Sequence, residues 1–148
     1  MGITLKPNVR CEGKTIMRRK VLVIEDESSI RNMIYVLLGA LKCEGDVAYS
    51  GQQALAMIRR ESFDAVLLDL RCANLDPDQV ISKIHAIRPS LVGRILFITG
   101  EVSDAKTMEF VEHSCIPYVR RGRLMHELWD RLRLLFGQNA QSASTTLQ

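Results

Sequence analysis

Between residues 18 and 137 the apolar positions follow two alternating rhythms. Continuous apolar runs at Val21 to Ile24, Phe63 to Leu68 and Arg94 to Ile98 predict strands covered on both faces. Shorter runs at Val47 to Tyr49 and Pro117 to Val119 predict two more. Between them the spacing changes to three and four residues. Ile30, Ile34, Leu37, Leu38 and Leu41 mark a first helix, and Ala54, Leu55 and Ile58 a second. Val80, Ile81, Ile84 and Ile87 mark a third, Met108 and Val111 a short fourth, and Leu124, Leu128, Leu132 and Leu135 the inner stripe of a fifth.

The punctuation agrees with this division. Ser50 and Gln53 stand three apart, as in a capping box. Asp76-Pro77 supplies an N-cap and a first-turn proline, and Pro89 stops the same helix. Ser103 or Asp104 caps the fourth helix, and Gly39 weakens the end of the first. Strand and helix thus alternate five times, which predicts an α/β fold, (βα)5, with right-handed crossovers and a five-stranded parallel sheet.

The ends of the chain do not share the pattern. Residues 1–17 lack periodicity and carry Pro7 and Gly13, so a flexible basic leader is expected, with Met17 as an alternative start. Residues 138–148 are polar and read as a tail or the beginning of a linker. The folded unit is residues 18–137.

Composition narrows the classes. With 148 residues, 47% apolar and 25% charged, one soluble domain with a full core is expected. The net charge of +3 is uneven: six basic residues against Glu12 put +5 in residues 1–20 and leave −2 for the rest. Nucleic-acid binding by the folded unit is therefore not indicated. Cys11, Cys43, Cys72 and Cys115 are too dispersed for a zinc site or a disulfide framework, which suits a reducing cytosol. No apolar stretch is long enough for a signal peptide core or a membrane span.

The candidate chemistry lies where the strands end. The first runs into Glu25-Asp26, the third into Asp69, the fourth into Thr99 and the fifth toward Arg120-Arg121. In a parallel α/β sheet these carboxyl ends open the ligand crevice. Any one of the acids alone would be read as a helix N-cap, Thr99 as a β-branched strand residue and the arginines as a solvated pair. Together, three carboxylates, a hydroxyl and a guanidinium suit Mg²⁺ and phosphoryl chemistry. Asp26 and Asp69 can ligate the metal directly and Glu25 through water, and Asp69 can also act as a nucleophile toward phosphorus. Thr99 and Arg121 can pair with phosphoryl oxygens. Tyr118 and Cys72 read as core-facing residues, and Met125 and Trp129 as helix packing or a partner surface.

These residues resemble the receiver domain of two-component response regulators. Lys20 to Glu27 (KVLVIEDE) resembles the family's acidic pocket, Phe63 to Leu70 (FDAVLLDL) its phosphoacceptor strand, and Ile95 to Gly100 (ILFITG) the strand ending in a hydroxyl. The similarity spans about residues 19–136, and the intervals from Asp69 to Thr99 and to Arg121 are those of the family. The resemblance implies a flavodoxin-like sheet, Mg²⁺ held by Asp26, Asp69 and the backbone carbonyl of Arg71, and phosphorylation of Asp69 by a sensor histidine kinase or phosphotransfer protein. It further implies a switch pair, Thr99 and Tyr118, that alters a face used by a downstream protein or a homodimer. Arg71 and Glu101 occupy positions that in this family tune phosphoryl lifetime, and an ion pair between them over the pocket mouth is expected. Direct DNA binding and membrane association are not expected, and the implied location is cytoplasmic. Residues Ile95 to Tyr118 are also similar to receivers at the C-termini of hybrid histidine kinases, so the chain is expected to be a stand-alone receiver or a piece of something longer.

Two positions depart from the family pattern. Arg121-Gly122 stands where Lys-Pro is usual, with Arg123 in place of an aromatic, which implies a changed approach of the cation. Cys72-Ala73 stands where Met-Pro is common. The first departure motivates an alternative, a pseudo-receiver that binds partners without phosphorylation. An enzyme is the third class: a dehalogenase-type phosphatase needs a second acid where Arg71 stands, and a nucleotide enzyme needs glycines where Glu25-Asp26-Glu27-Ser28 stands.

Overall fold

The structure is a computed structural model describing the backbone of residues 8–11, 14–101 and 104–145, and side chains over 18–101 and 104–137. Its elements are β1 (Asn8–Cys11), β2 (Lys14–Met17), β3 (Arg19–Ile24), α1 (Ser28–Ala40), β4 (Cys43–Ala48), α2 (Gly51–Arg60), β5 (Ala65–Asp69), α3 (Pro77–Ile87), β6 (Ile95–Thr99), α4 (Ala105–Ser114), β7 (Tyr118–Arg120) and α5 (Leu124–Thr145). Short 3-10 turns at Pro89–Arg94 and Arg121–Arg123 lead into β6 and α5.

The expected (βα)5 arrangement forms. Its five strands pair in the order β4-β3-β5-β6-β7, all parallel. β3 comes first in this unit yet lies between β4 and β5, so the chain winds one way and then the other from it. That reversal leaves a crevice at the carboxyl ends of β3 and β5.

Alternation along the strands loads both faces. Val21, Val23, Leu67, Leu96 and Ile98 meet α1 and α5, where Ile34, Leu38, Leu124, Leu128, Leu132 and Leu135 are buried. Leu22, Ile24, Val66, Leu68 and Phe97 meet α2, α3 and α4 through Leu55, Ile58, Val80, Ile84 and Val111. The helix signals operate as local chemistry: Ser50 Oγ accepts from Gln53 N at 3.1 Å, and the Gln53 side chain accepts from Tyr49 N at 2.7 Å. Asp76 caps α3 ahead of Pro77. Asp104 caps α4, accepting from Thr107 N at 2.6 Å; Ser103, the other candidate, lies outside the described residues.

Both ends correct the sequence reading. Residues 8–11 and 14–17, expected to be a flexible leader, form an antiparallel hairpin pairing Asn8 with Met17 and Cys11 with Lys14. Strand pairing of this kind needs no core-facing stripe, so hydrophobic periodicity does not reveal it. The helix expected to stop near Gly137 continues to Thr145 as α5. Residues 138–145 contain Gln, Ala, Asn, Ser and Thr and no proline, and a preceding helix packed on the core supplies the nucleus they extend.

Leu128 is fully buried between α5 and the sheet. Leu128→Ala is expected to lower unfolding free energy by about 2–5 kcal/mol in urea titration, with far-UV circular dichroism showing the native fold retained below the transition.

Candidate functional site

Strand register assembles the site. Ile24 pairs with Leu68, so Glu25 and Asp69, each one residue further, come side by side. Asp69 pairs with Ile98 and Thr99 with Arg120, which puts the hydroxyl and then Arg121 next in the row. No sequence neighbour relation joins these residues; the parallel ladder does.

Asp69 is completely buried. Its Oδ1 accepts the Arg71 N–H at 2.8 Å, and its Oδ2 accepts Arg121 Nη2 at 2.6 Å. Glu25 is also buried; its Oε2 accepts the Glu27 N–H at 3.1 Å, while Oε1 has no partner among the described residues. Asp26 is exposed, and its Oδ2 accepts the Ala73 N–H at 2.9 Å, tying the loop after β3 to the loop after β5. Thr99 is buried, and its Oγ1 has no partner among the described residues. An unsatisfied buried hydroxyl and carboxylate oxygen are costly unless something else comes to meet them.

The electrostatics follow from crowding. Burial, then the adjacent Asp69 carboxylate, push Glu25 up to about 8, although the Glu27 N–H and Arg121 act against this. Arg121 is the cation that answers the cluster: burial disfavours its charge, but Asp69 and Glu27 outweigh that and hold its pKa above the ordinary value. Glu27 is drawn below the usual carboxylate range by the Ser29 hydroxyl and by Arg121. Beside the pocket, burial raises the Cys72 thiol to about 11, which leaves it a small apolar filler.

The donor set fits Mg²⁺ with a phosphoryl group. Among the described residues no three His, Cys, Asp or Glu side chains converge as a ready-made cage. Mg²⁺ does not need one, since it keeps waters and takes one or two carboxylates plus phosphate oxygens. Here Asp26, Asp69 and Glu25 line one side, and unpartnered Thr99 Oγ1 and the Arg121 guanidinium line the other.

A family model described as the response regulator receiver domain matches residues 21–133. The chain belongs to that family. The relatives that the receiver resembles include the transcriptional regulatory protein ZraR of Salmonella typhimurium, 31% identical over 99 residues that cover 67% of this chain and 22% of that protein. Another is the response regulator protein PilR of Pseudomonas aeruginosa, 33% identical over 79% of this chain and 27% of that protein. The receiver thus spans about a quarter of the length of these relatives. Among solved structures, a response regulator receiver domain protein from Clostridium thermocellum superposes with a TM-score of 0.70 at 22% identity, covering 83% of this chain and 98% of that one. A CheY-like receiver from Methanospirillum hungatei gives 0.65 at 18% identity, covering 82% and 98%.

Within the receiver frame, the departures become concrete. Arg121 reaches Asp69 from its position ahead of Gly122. A Cβ at residue 122 would clash with Glu101 Oε2, so glycine there makes room for the Glu101 carboxylate. The expected Arg71–Glu101 ion pair does not form: the Arg71 side chain lies against Gly100, and Glu101 turns to the space above Gly122. The two therefore flank the pocket separately. Tyr118 pairs across the ladder with Phe97, half-buried, and borders a groove of about 570 Å³ between α4, β7 and α5. It does not join the polar row.

Glu27 escaped the sequence reading as a site residue. Its Oε1 accepts Arg121 Nη1 at 2.6 Å across 94 positions of sequence. Nothing local marks it beyond its place in an acidic run.

Glu25 provides a pH test. Its folded pKa of about 8 lies above the ordinary carboxylate value. The stability it contributes is full at acid pH and lost as pH rises through 8. Without divalent cations, urea-derived stability should fall by about 2–4 kcal/mol between pH 5 and 9. Glu25→Gln should flatten that slope.

Proposed function

We propose that this receiver accepts a phosphoryl group on Asp69 from a histidine kinase or phosphotransfer protein, in the presence of Mg²⁺, and that the change is read on a protein-binding face. The observation that carries this is the buried Thr99 hydroxyl without a partner, beside a buried Asp69 already held by a cation. A hydroxyl left unpaired in that position suits an oxygen-rich group that arrives from outside.

Asp26, Asp69 and the Arg71 backbone carbonyl would hold the metal, with Glu25 acting through water. The metal would offset the repulsion between an anionic nucleophile and an anionic donor. Asp69 supplies the attacking carboxylate oxygen; an O–P bond forms, the P–N bond to the donor imidazole breaks, and the imidazole leaves with the electron pair. The Arg71 N–H holds Oδ1, which fixes the plane of the carboxylate during attack. Arg121 gives up its place on Oδ2 and pairs with a phosphoryl oxygen, and Thr99 Oγ donates to another. Tyr118, bordering the groove beside β7, is the aromatic that responds, so that α4, β7 and α5 present a changed face to a downstream protein or a second copy.

On this reading the receiver is a signalling acceptor with, at most, self-phosphorylation and autodephosphorylation. Its partners are proteins and not DNA, in keeping with the −2 charge outside residues 1–20. No helix among the described residues is long and apolar enough to cross a membrane, and a cytoplasmic site of action suits a kinase partner.

Incubation with Mg²⁺ and acetyl phosphate should add one phosphoryl group to the wild type by intact mass spectrometry and none to Asp69→Ala. Equal labelling of both would refute the assignment. Thr99→Ala should retain Mg²⁺ binding and slow phosphoryl uptake about tenfold or more. Partner binding indifferent to Mg²⁺, phosphodonor and Asp69→Asn would instead indicate a constitutive interaction module.

A further inference from the structure

We infer that Glu27 is the positioning residue for Arg121: it anchors one terminal nitrogen of the guanidinium so that the other is presented to Asp69, which lets an arginine serve where the family usually has a lysine. The inference rests on the phosphoacceptor reading of Asp69 for its consequence, though not for its geometry.

A guanidinium is a planar fork, and a single contact leaves it free to turn; two contacts on different nitrogens fix its plane. Among the described residues Arg121 makes those two contacts and no third. Nη1 donates to Glu27 Oε1 and Nη2 to Asp69 Oδ2, each at 2.6 Å, while the buried Nε has no partner. Its own stretch of chain does not fix it, because Arg121 opens a short 3-10 turn and Gly122 follows.

Glu27 is itself held for this task. It occupies the N-cap position of α1, yet its side chain makes no capping hydrogen bond. The carboxylate is instead turned to the pocket, with Oε2 accepting from Ser29 Oγ at 3.0 Å and the backbone N–H donating to Glu25 Oε2 at 3.1 Å. Half of the Glu27 side chain remains in solvent. An ion pair so exposed contributes little to stability, so its consequence is the direction it gives to Arg121. A lysine carries one terminal nitrogen and cannot bridge Asp69 and Glu27 in this manner.

The test uses the full chain as wild type, Glu27→Ala, Arg121→Lys and the double variant; alanine removes the oxygen that accepts from Arg121, which glutamine would keep. Nitrogen-15 NMR of the Arg121 guanidinium, without Mg²⁺ or phosphodonor, should show slow rotation in the wild type and fast rotation in Glu27→Ala. With Mg²⁺ and acetyl phosphate, Glu27→Ala should slow phosphoryl uptake about tenfold in the arginine background and leave the Arg121→Lys background unchanged. Unchanged guanidinium rotation in Glu27→Ala would overturn the anchoring. Equal slowing in both backgrounds would overturn it too, since Glu27 would then act through its charge on the pocket. Faster rotation in Glu27→Ala, together with a wild type that takes up no phosphoryl group, would support the anchor while removing the phosphoacceptor reading.

Discussion

The pair of buried carboxylates at the ends of β3 and β5 sets the terms for the rest of the site. Glu25 and Asp69 are adjacent because Ile24 pairs with Leu68, and both are almost entirely out of water. Two negative charges so placed repel strongly, since little solvent lies between them to screen the interaction. The chain answers in two ways: Glu25 holds its proton more tightly, and Arg121 reaches Asp69 from the end of β7, two strands away. On the function proposed above, a divalent cation and a phosphoryl group would enter a place where opposite charges already meet.

That pair can exist only because the sheet is buried on both sides. Continuous apolar strands keep α1 and α5 on one face and α2, α3 and α4 on the other, so the strands cannot slip by one residue without exposing a whole face. The register that core packing enforces is the register that aligns Glu25, Asp69, Thr99 and Arg121. At the opposite edge, charge has a structural use: the Lys20 backbone N–H donates to Asp64 at 2.8 Å and its ammonium pairs with Glu61, joining β3 to the segments around α2 and β5.

Arg121 and Gly122, which differ from the pattern implied by the resemblance, each meet an acid at the pocket mouth. Gly122 leaves a space that the Glu101 carboxylate fills. Arg121 has a second terminal nitrogen, and Glu27 occupies it. With Glu101 drawn toward Gly122, Arg71 lies alone over Gly100 and its backbone N–H remains committed to Asp69. The mouth of the pocket is thus shaped by contacts that a residue-by-residue reading of the family pattern would treat as independent.

The sequence by itself determined the alternation of strands and helices, the cap residues Ser50, Asp76 and Asp104, and the inner stripe Leu124, Leu128, Leu132 and Leu135, because periodicity and capping are local properties of a chain. It also marked Glu25, Asp26, Asp69, Thr99 and Arg121, since strand ends can be counted. The hairpin of β1 and β2 and the final turns of α5 were not legible, as neither depends on an apolar stripe of its own. Only the tertiary structure decided which oxygen of Asp69 meets Arg121, where Glu101 turns and that Glu27 belongs to the site. Those choices are made by groups up to 94 residues apart that share a few ångströms of space, and separation along the chain carries no information about contacts that packing alone brings about.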